Sequence, residues 1–299
     1  MLSSPLSWLL RSPERASRFA GAEGKPLQQG AVDARDVIAP GHALRISVIP
    51  TFRRHYAFLL HDRTSGDSAV VDPTDAGPII GLARAQGWTI RHVIITHHHN
   101  AVGAAAIKRA TRCTVHGPAA EADRIAAIDV AYQGGETFRL GNLRADVLAV
   151  PGHTVGHLAY WFSSAGVLFC GDTLSPLGCG RLSEGTPQEM WRSLALIREL
   201  PAETLIYSGF ECSRANARFA LAIDRDNLWL QTRSNRFDVV SAAGVASVPA
   251  KLEDEHVTNP FLRVDDPRIA RAVGLEGASP VEVFTELRKR RDHFHIDPH

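Results

Sequence analysis

Three consecutive histidines, His97, His98 and His99, follow the apolar run "VIIT" in the stretch "VIITHHHNAVG". In an extended segment side chains alternate, so His97 and His99 share a side and His98 points away. One short stretch can therefore offer two imidazoles to a single ion. A third, His153 in "VPGHT", completes a set of three neutral nitrogens, which suits zinc and leaves a coordination position for water. Asp172 in "FCGDT" adds a carboxylate, and a carboxylate with imidazoles also suits iron or manganese. Taken singly, a histidine such as His153 is more often a satisfied core or surface residue than a ligand. The metal reading rests on convergence, because each of these residues sits just beyond an apolar, strand-like run.

Those runs imply the elements that position the site. "RISVIP", "YAFLLHD" and "SAVVDP" read as strands from Arg45 onward, followed by "HVIIT", "CTVHG", "ADVLAVPG", "LAYWFSS", "VLFCGD" and "TLIYSGF". Helices are predicted over 76–88, closed by Gly87, over 103–111, and over 186–200 with a proline near its start. Strands and helices alternate, yet several strands are joined by short links, so parallel and antiparallel pairing are both expected. From about residue 211 onward strands give way to helical segments with proline-containing links. Residues 25–44 show no clear period of either kind.

Composition narrows the function classes. The 299 residues, 44% apolar and 22% charged, have the profile of a soluble globular chain of one large or two modest domains. A formal net charge of +1 argues against nucleic acid as a partner. No stretch approaches the roughly 20 apolar residues that span a bilayer. Cys113, Cys170, Cys179 and Cys212 include no CxxC pair and read as reduced thiols in a cytosol-like compartment. Cytoplasmic location is thus expected, with an organellar location as the alternative if residues 1–44 act as a presequence. Nothing in the sequence specifies an oligomeric state.

The ordered segments "THHHNAVG", "PGHTVGH", "FCGDTLSPLGCGRLSEGT" and "YSGFE" resemble the motifs of the metallo-β-lactamase superfamily, and within it those of glyoxalase II, the hydroxyacylglutathione hydrolases. "TNPFLR" and "VEVFTELRKRRDHF" are similar to that family's C-terminal helical domain. The resemblance implies an α/β fold, a four-layer αββα sandwich with the metal at one sheet edge and a C-terminal helical domain beside it. The implied division is an N-terminal extension over 1–44, a lactamase-like domain over 45–210 and a helical substrate domain over 211–299. It further implies hydrolysis of glutathione thioesters such as S-lactoylglutathione, a step in methylglyoxal detoxification, with metal-bound water as the nucleophile.

In the family pattern two metals lie side by side. The first takes three histidines, matched by His97, His99 and His153, and Asp172 matches the bridging acid. The second metal's own ligands fall at Ala101, Val102 and Phe210, none of which can coordinate an ion. The chain is therefore expected to hold one divalent metal, zinc foremost, with iron or manganese as alternatives. Its second site should be lined with hydrocarbon; Asn100, His98, Glu211 and Cys212 are the residues near enough in sequence to replace the missing ligands. For glutathione, the resemblance matches Arg181, Arg288 and Arg291 to the family's basic contacts, whereas Ser183 and Cys212 stand where it has tyrosines. Arginine forks suit the carboxylates of glutathione, although Arg288 and Arg291 also fit an exposed basic helix end. Two other functions remain open at this level. One is a mononuclear-iron persulfide dioxygenase using His97, His153 and Asp172; the other is a non-catalytic glutathione-binding homologue.

Overall fold

The computed structural model describes residues 33–39, 42–51 and 54–294, so residues 1–32 of the extension expected over 1–44 lie outside the described residues. One sheet contains β1 (Asp33–Ala39), β2 (His42–Pro50), β3 (Tyr56–Asp62), β4 (Asp67–Val71), β5 (Thr89–Ile94), β6 (Thr114–Pro118) and β7 (Val130–Tyr132), in that spatial order. β1 to β4 pair antiparallel through short links. From β4 to β7 the pairing is parallel, because parallel neighbours need a crossover. Helices α1 (Ala76–Ala85) and α2 (Ala104–Thr111) supply two of these crossovers.

The second sheet is built from β8 (Thr137–Leu140), β9 (Leu143–Ala149), β10 (Leu158–Phe162), β11 (Val167–Gly171), β14 (Leu205–Ser208) and β15 (Ala250–Lys251), in the order β15-β14-β11-β10-β9-β8. Its one parallel pair, β11 with β14, is bridged by α3 (Pro187–Arg198). A small hairpin, β12 (Leu174–Ser175) with β13 (Gly178–Cys179), leaves the end of β11. The remaining helices are α4 (Ser213–Ile223), α5 (Leu228–Ala242), α6 (Leu252–Thr258), α7 (Pro267–Ala272) and α8 (Pro280–Asp292).

Period-two patterning stacks these elements into layers. Ile46, Val48, Phe58 and Leu60 of the first sheet meet Val147, Leu158, Tyr160, Phe162 and Phe169 of the second in a core between the sheets. Ala57, Leu59 and Val70, on the opposite face, pack against Ile79, Ala83 and Ile107 of α1 and α2. On the far side Ala159, Leu168 and Ile206 pack against Met190, Leu194 and Ile197 of α3 and against Phe261, Phe284 and Leu287. The order is helix, sheet, sheet, helix. Burying a side chain such as Phe58 stabilises this arrangement by about 1.5–3 kcal/mol.

Helix boundaries follow capping chemistry. Asp75 accepts from Gly77 N to start α1, and Gly87, at φ +68°, turns the chain after it. Thr186 with Glu189, and Ser279 with Glu282, form reciprocal capping boxes on α3 and α8, each with proline in the first turn. Two expectations need correction. Strand β1 and the start of β2 lie within 25–44, where the sequence shows no period; pairing along β2 imposes the extended form there. Strands also do not cease at 211, since β15 adds an edge to the second sheet from within the C-terminal segment.

Candidate metal centre

The candidate ligands all come from turns that leave strand ends at one edge of the sandwich. His97 follows β5 in extended backbone, at φ −162° and ψ 166°. His98 to Asn100 then form a single 3-10 turn. His99 thus reaches the side of His97 by a turn, not by the strand alternation expected from the sequence. His153 follows β9, and Asp172 follows β11. Gly171 sits at φ +49°, and a Cβ there would collide with the Thr96 hydroxyl and the His157 ring, so only glycine lets β11 end against the histidine stretch.

His97, His99 and His153 each present a nitrogen within 4.8 Å of the others. Asp172 Oδ2 lies 3.6 Å from His153 Nε2 and 3.9 Å from His97 Nε2. His99 Nδ1 and His153 Nε2 approach to 3.1 Å. His153 Nδ1 donates to the Arg181 carbonyl at 2.9 Å, which leaves Nε2 as a lone pair facing the site. For His97 the tautomer follows from a chain of bonds. The Thr96 hydroxyl spends its proton on Asp72 Oδ2 at 2.7 Å, so at 2.9 Å it accepts from His97 Nδ1–H. His97 Nε2 is then a lone pair, fully buried and without a hydrogen-bond partner, as is Asp172 Oδ1. Buried polar atoms left unpaired cost about 1–3 kcal/mol each. A divalent cation among the three imidazoles would satisfy His97 Nε2, with Asp172 Oδ2 the nearer carboxylate oxygen, and the donor set fits one.

Electrostatics favour the neutral form of His97 and His99. Burial, reinforced by His157, His153 and the other neighbouring imidazoles, holds His97 well below its ordinary pKa; burial and His98 lower that of His99. His157 stacks on His97 at 4.6 Å and is likewise held down, first by burial. Its Nε2 accepts from the Asp172 backbone N–H at 3.2 Å, which places its proton on Nδ1, facing the Thr173 hydroxyl. Asp72, fully buried, is pushed up to about 7 by burial, against hydrogen bonds from Thr96 that lower it. His157 and Asp72 were not assigned roles from sequence. Their signals were present, in the second histidine of "PGHTVGH" and the acid closing "AVVD".

The matching family models now have a structural counterpart. The metallo-beta-lactamase superfamily model matches residues 50–209, and the hydroxyacylglutathione hydrolase C-terminus model matches 211–294. The hydroxyacylglutathione hydrolase of Methylococcus capsulatus is 49% identical over 253 residues, covering 84% of this chain and 99% of that protein. The chain belongs to the hydroxyacylglutathione hydrolase family. The Rhodospirillum rubrum hydroxyacylglutathione hydrolase is 45% identical over the same shares of the two chains. Among solved structures, ETHE1 from Myxococcus xanthus has a TM-score of 0.57 at 21% identity, covering 88% of this chain and 100% of that one. BLEG-1 B3 metallo-beta-lactamase also has a TM-score of 0.57, at 20% identity, covering 73% and 99%. Both share the fold. Divalent-metal binding is a property of this superfamily, and the His97–His99–His153 group fits it.

The other half of the family's site is different. Ala101 is half-buried and packs toward the cluster beneath α1 and α2. Phe210 lies edge-on to His55 with ring centroids 5.0 Å apart. Val102 departs from the expected hydrocarbon lining: its side chain is 79% exposed and covers nothing. Of the four residues considered as replacement ligands, His98, Glu211 and Cys212 are engaged elsewhere, whereas Asn100 keeps a buried Oδ1 without a hydrogen-bond partner. Asn100 is buried with its Nδ2 toward Asp72 at 3.5 Å. His98 turns to Glu121 at 2.8 Å. Glu211 binds Tyr56, Ser213 and the Ser247 backbone, and the Cys212 thiol bonds to Ser175. Among the described residues one further three-donor group exists, His98 with Glu121 and Glu184. There Arg124 neutralises Glu184 at 2.6 Å.

The basic residues divide by burial. Arg181 is exposed beside His153, whose ring holds the Arg181 carbonyl. Arg288 is 4% exposed, contrary to the reading of it as an exposed helix end; it donates to the Cys179 carbonyl at 3.1 Å and to Asp292 at 2.7 Å. Arg291 is half-buried, donates weakly to Asn216 Oδ1 at 3.2–3.3 Å, and is pushed down from its ordinary pKa by burial with Arg288 alongside. Among the described residues no helix is long and apolar enough to cross a membrane.

Proposed function

We propose that this chain hydrolyses glutathione thioesters with a single divalent metal, zinc, held by His97, His99 and His153 with Asp172 alongside. The observation that carries the reading is the buried, unpartnered His97 Nε2, which lies in a cluster of three imidazole nitrogens with Asp172 Oδ2 at 3.6 and 3.9 Å from two of them. A zinc ion held by three histidines would supply Lewis acidity and would lower the pKa of its water to about 7.

The protein's own groups do the rest. Thr96 and the Arg181 carbonyl fix the protons of His97 and His153 on Nδ1, so both Nε2 atoms stay available as lone pairs. His157 braces Asp172 through its backbone N–H. Family membership supports a glutathione-derived substrate, and the thioesters named by the relatives' activity are the natural choice. Arg181, exposed at the rim, and Arg291, desolvated and only weakly partnered, are placed to take the glutathione carboxylates. Arg288 supports them from below by holding the Cys179–Gly180 turn through their carbonyls. Residues 45–210 carry the metal and Arg181, and 211–299 supply the remaining substrate contact, Arg291.

The second metal's acid and imidazoles are absent, so one Lewis acid and one orienting carboxylate are missing, and turnover should be weaker than in two-metal relatives. Assaying the zinc-loaded and iron-loaded full chain on S-lactoylglutathione and on glutathione persulfide tests the proposal. Zinc-dependent thioester hydrolysis is expected. Oxygen consumption with the persulfide on iron alone, or glutathione binding without any turnover, would replace it with one of the other two functions.

A further inference from the structure

The residue that sets the spacing of the ligand-bearing loops is neither a ligand nor a substrate contact. Glu121 ends a short 3-10 turn, Ala119–Glu121, after β6, and its side chain is fully buried. A carboxylate removed from water is strongly disfavoured unless hydrogen bonds or charge replace its hydration. Here the replacement comes from two directions. Oε2 accepts the backbone N–H of His98 at 2.7 Å and its Nδ1–H at 2.8 Å. Oε1 accepts the Thr154 hydroxyl and, at 3.0 Å, the Gly156 backbone N–H.

The donors belong to the two stretches that carry the imidazoles. His98 lies between His97 and His99, and Thr154 follows His153. Approach is close on the second side, where a Cβ at Gly156 would sit 2.8 Å from Glu121 Cγ. The only other direct backbone bond between these stretches among the described residues is Leu158 N to the Thr96 carbonyl at 2.9 Å, which lies on the strand side of the ligands. Glu121 closes the turn side.

We infer that Glu121 is a positioning residue: one buried carboxylate clamps the 97–99 turn to the 153–156 loop and so holds three imidazoles at metal-binding distance. His98 thereby acquires a role as a donor to the clamp. The inference rests on the proposed metal site and adds the group that pre-organises it.

The test compares full-length wild type with Glu121→Ala, Glu121→Gln and Thr154→Val, using zinc affinity from chelator competition and the visible d–d spectrum after cobalt loading. Circular dichroism and cooperative unfolding of the metal-free proteins report folding separately. Loss of such a supporting group weakens metal affinity by roughly 10–100-fold. That loss is expected for Glu121→Ala, with altered cobalt bands. Glu121→Gln, which keeps one acceptor oxygen, and Thr154→Val, which removes one donor, should each lose less. A role confined to general stability would lower the unfolding midpoint yet leave affinity and cobalt bands of the folded variants at wild-type values, and that result would overturn the inference. If Glu121→Ala does not fold, the glutamine and valine variants decide by the same two readouts. Wild type that binds no metal would refute the site and this inference together, whereas tight wild-type binding with unaffected variants refutes the inference alone.

Discussion

Two sides of one pocket differ in what their side chains offer. On the side of His97, His153 and Asp172, each group is braced by a second bond: a threonine, a backbone carbonyl, a neighbouring imidazole. Ala101, Val102 and Phe210 carry no side-chain donor atom; His98 and Glu211 beside them are turned into other partnerships, while Asn100 Oδ1 stays buried without a hydrogen-bond partner. The contrast is between side chains fixed by supporting bonds and side chains that offer an ion nothing.

The sharpest way to break this comparison is to remove a nitrogen from the intact half. His153→Ala should abolish retention of zinc through gel filtration, read by metal analysis, because the site loses one of its three imidazoles. Retained metal would refute the ligand assignment. Rebuilding the other half is the converse. Ala101→Asp alone should add no second equivalent, whereas the triple variant Ala101→Asp, Val102→His, Phe210→His should approach two equivalents and raise turnover.

The substrate side divides the same way, between a committed and an available group. Arg291→Ala should raise KM for a glutathione thioester roughly 10-fold with little change in kcat, the effect of losing one charge-assisted hydrogen bond. Arg288→Ala should instead lower the thermal midpoint, since it strands the Cys179 and Gly180 carbonyls. A KM effect larger for Arg288 than for Arg291 would reverse the two roles.

The smallest effect concerns a histidine outside the site. His116 is buried like His97, but its nitrogens are partnered by His92 at 3.2 Å and Tyr132 at 3.1 Å. Burial lowers it to about 4 from 6.5. The unfolded chain therefore binds the extra proton between those values, and the stability that neutral His116 contributes, full above pH 6.5, is lost as pH falls toward 4. His116→Phe should flatten that part of the stability–pH curve in urea titrations of the metal-free protein. An unchanged slope would contradict it.

Much of the architecture was legible because strands with one buried face announce themselves, as "LAYWF" and "YAFLL" do. The imidazoles and acid were legible because they sit where apolar runs stop. The rest was hidden for physical reasons. β1 and β15 take their form from pairing with a neighbour, not from their own pattern. His99 reaches its place through a 3-10 turn that a strand reading does not contain. Glu121, in "GPAAEADR", looks like any surface acid until the fold closes two loops over it. Arg288 reads as a glutathione contact, or else as a solvated helix end, within "LRKRR", and lies under the Cys179 turn.

The proposed function gives one half of the pocket an ion and the other half none. Metal stoichiometry of the full chain, purified and then equilibrated with excess zinc and freed of loose metal, measures that difference directly. One equivalent per chain is predicted, and two equivalents would contradict the account.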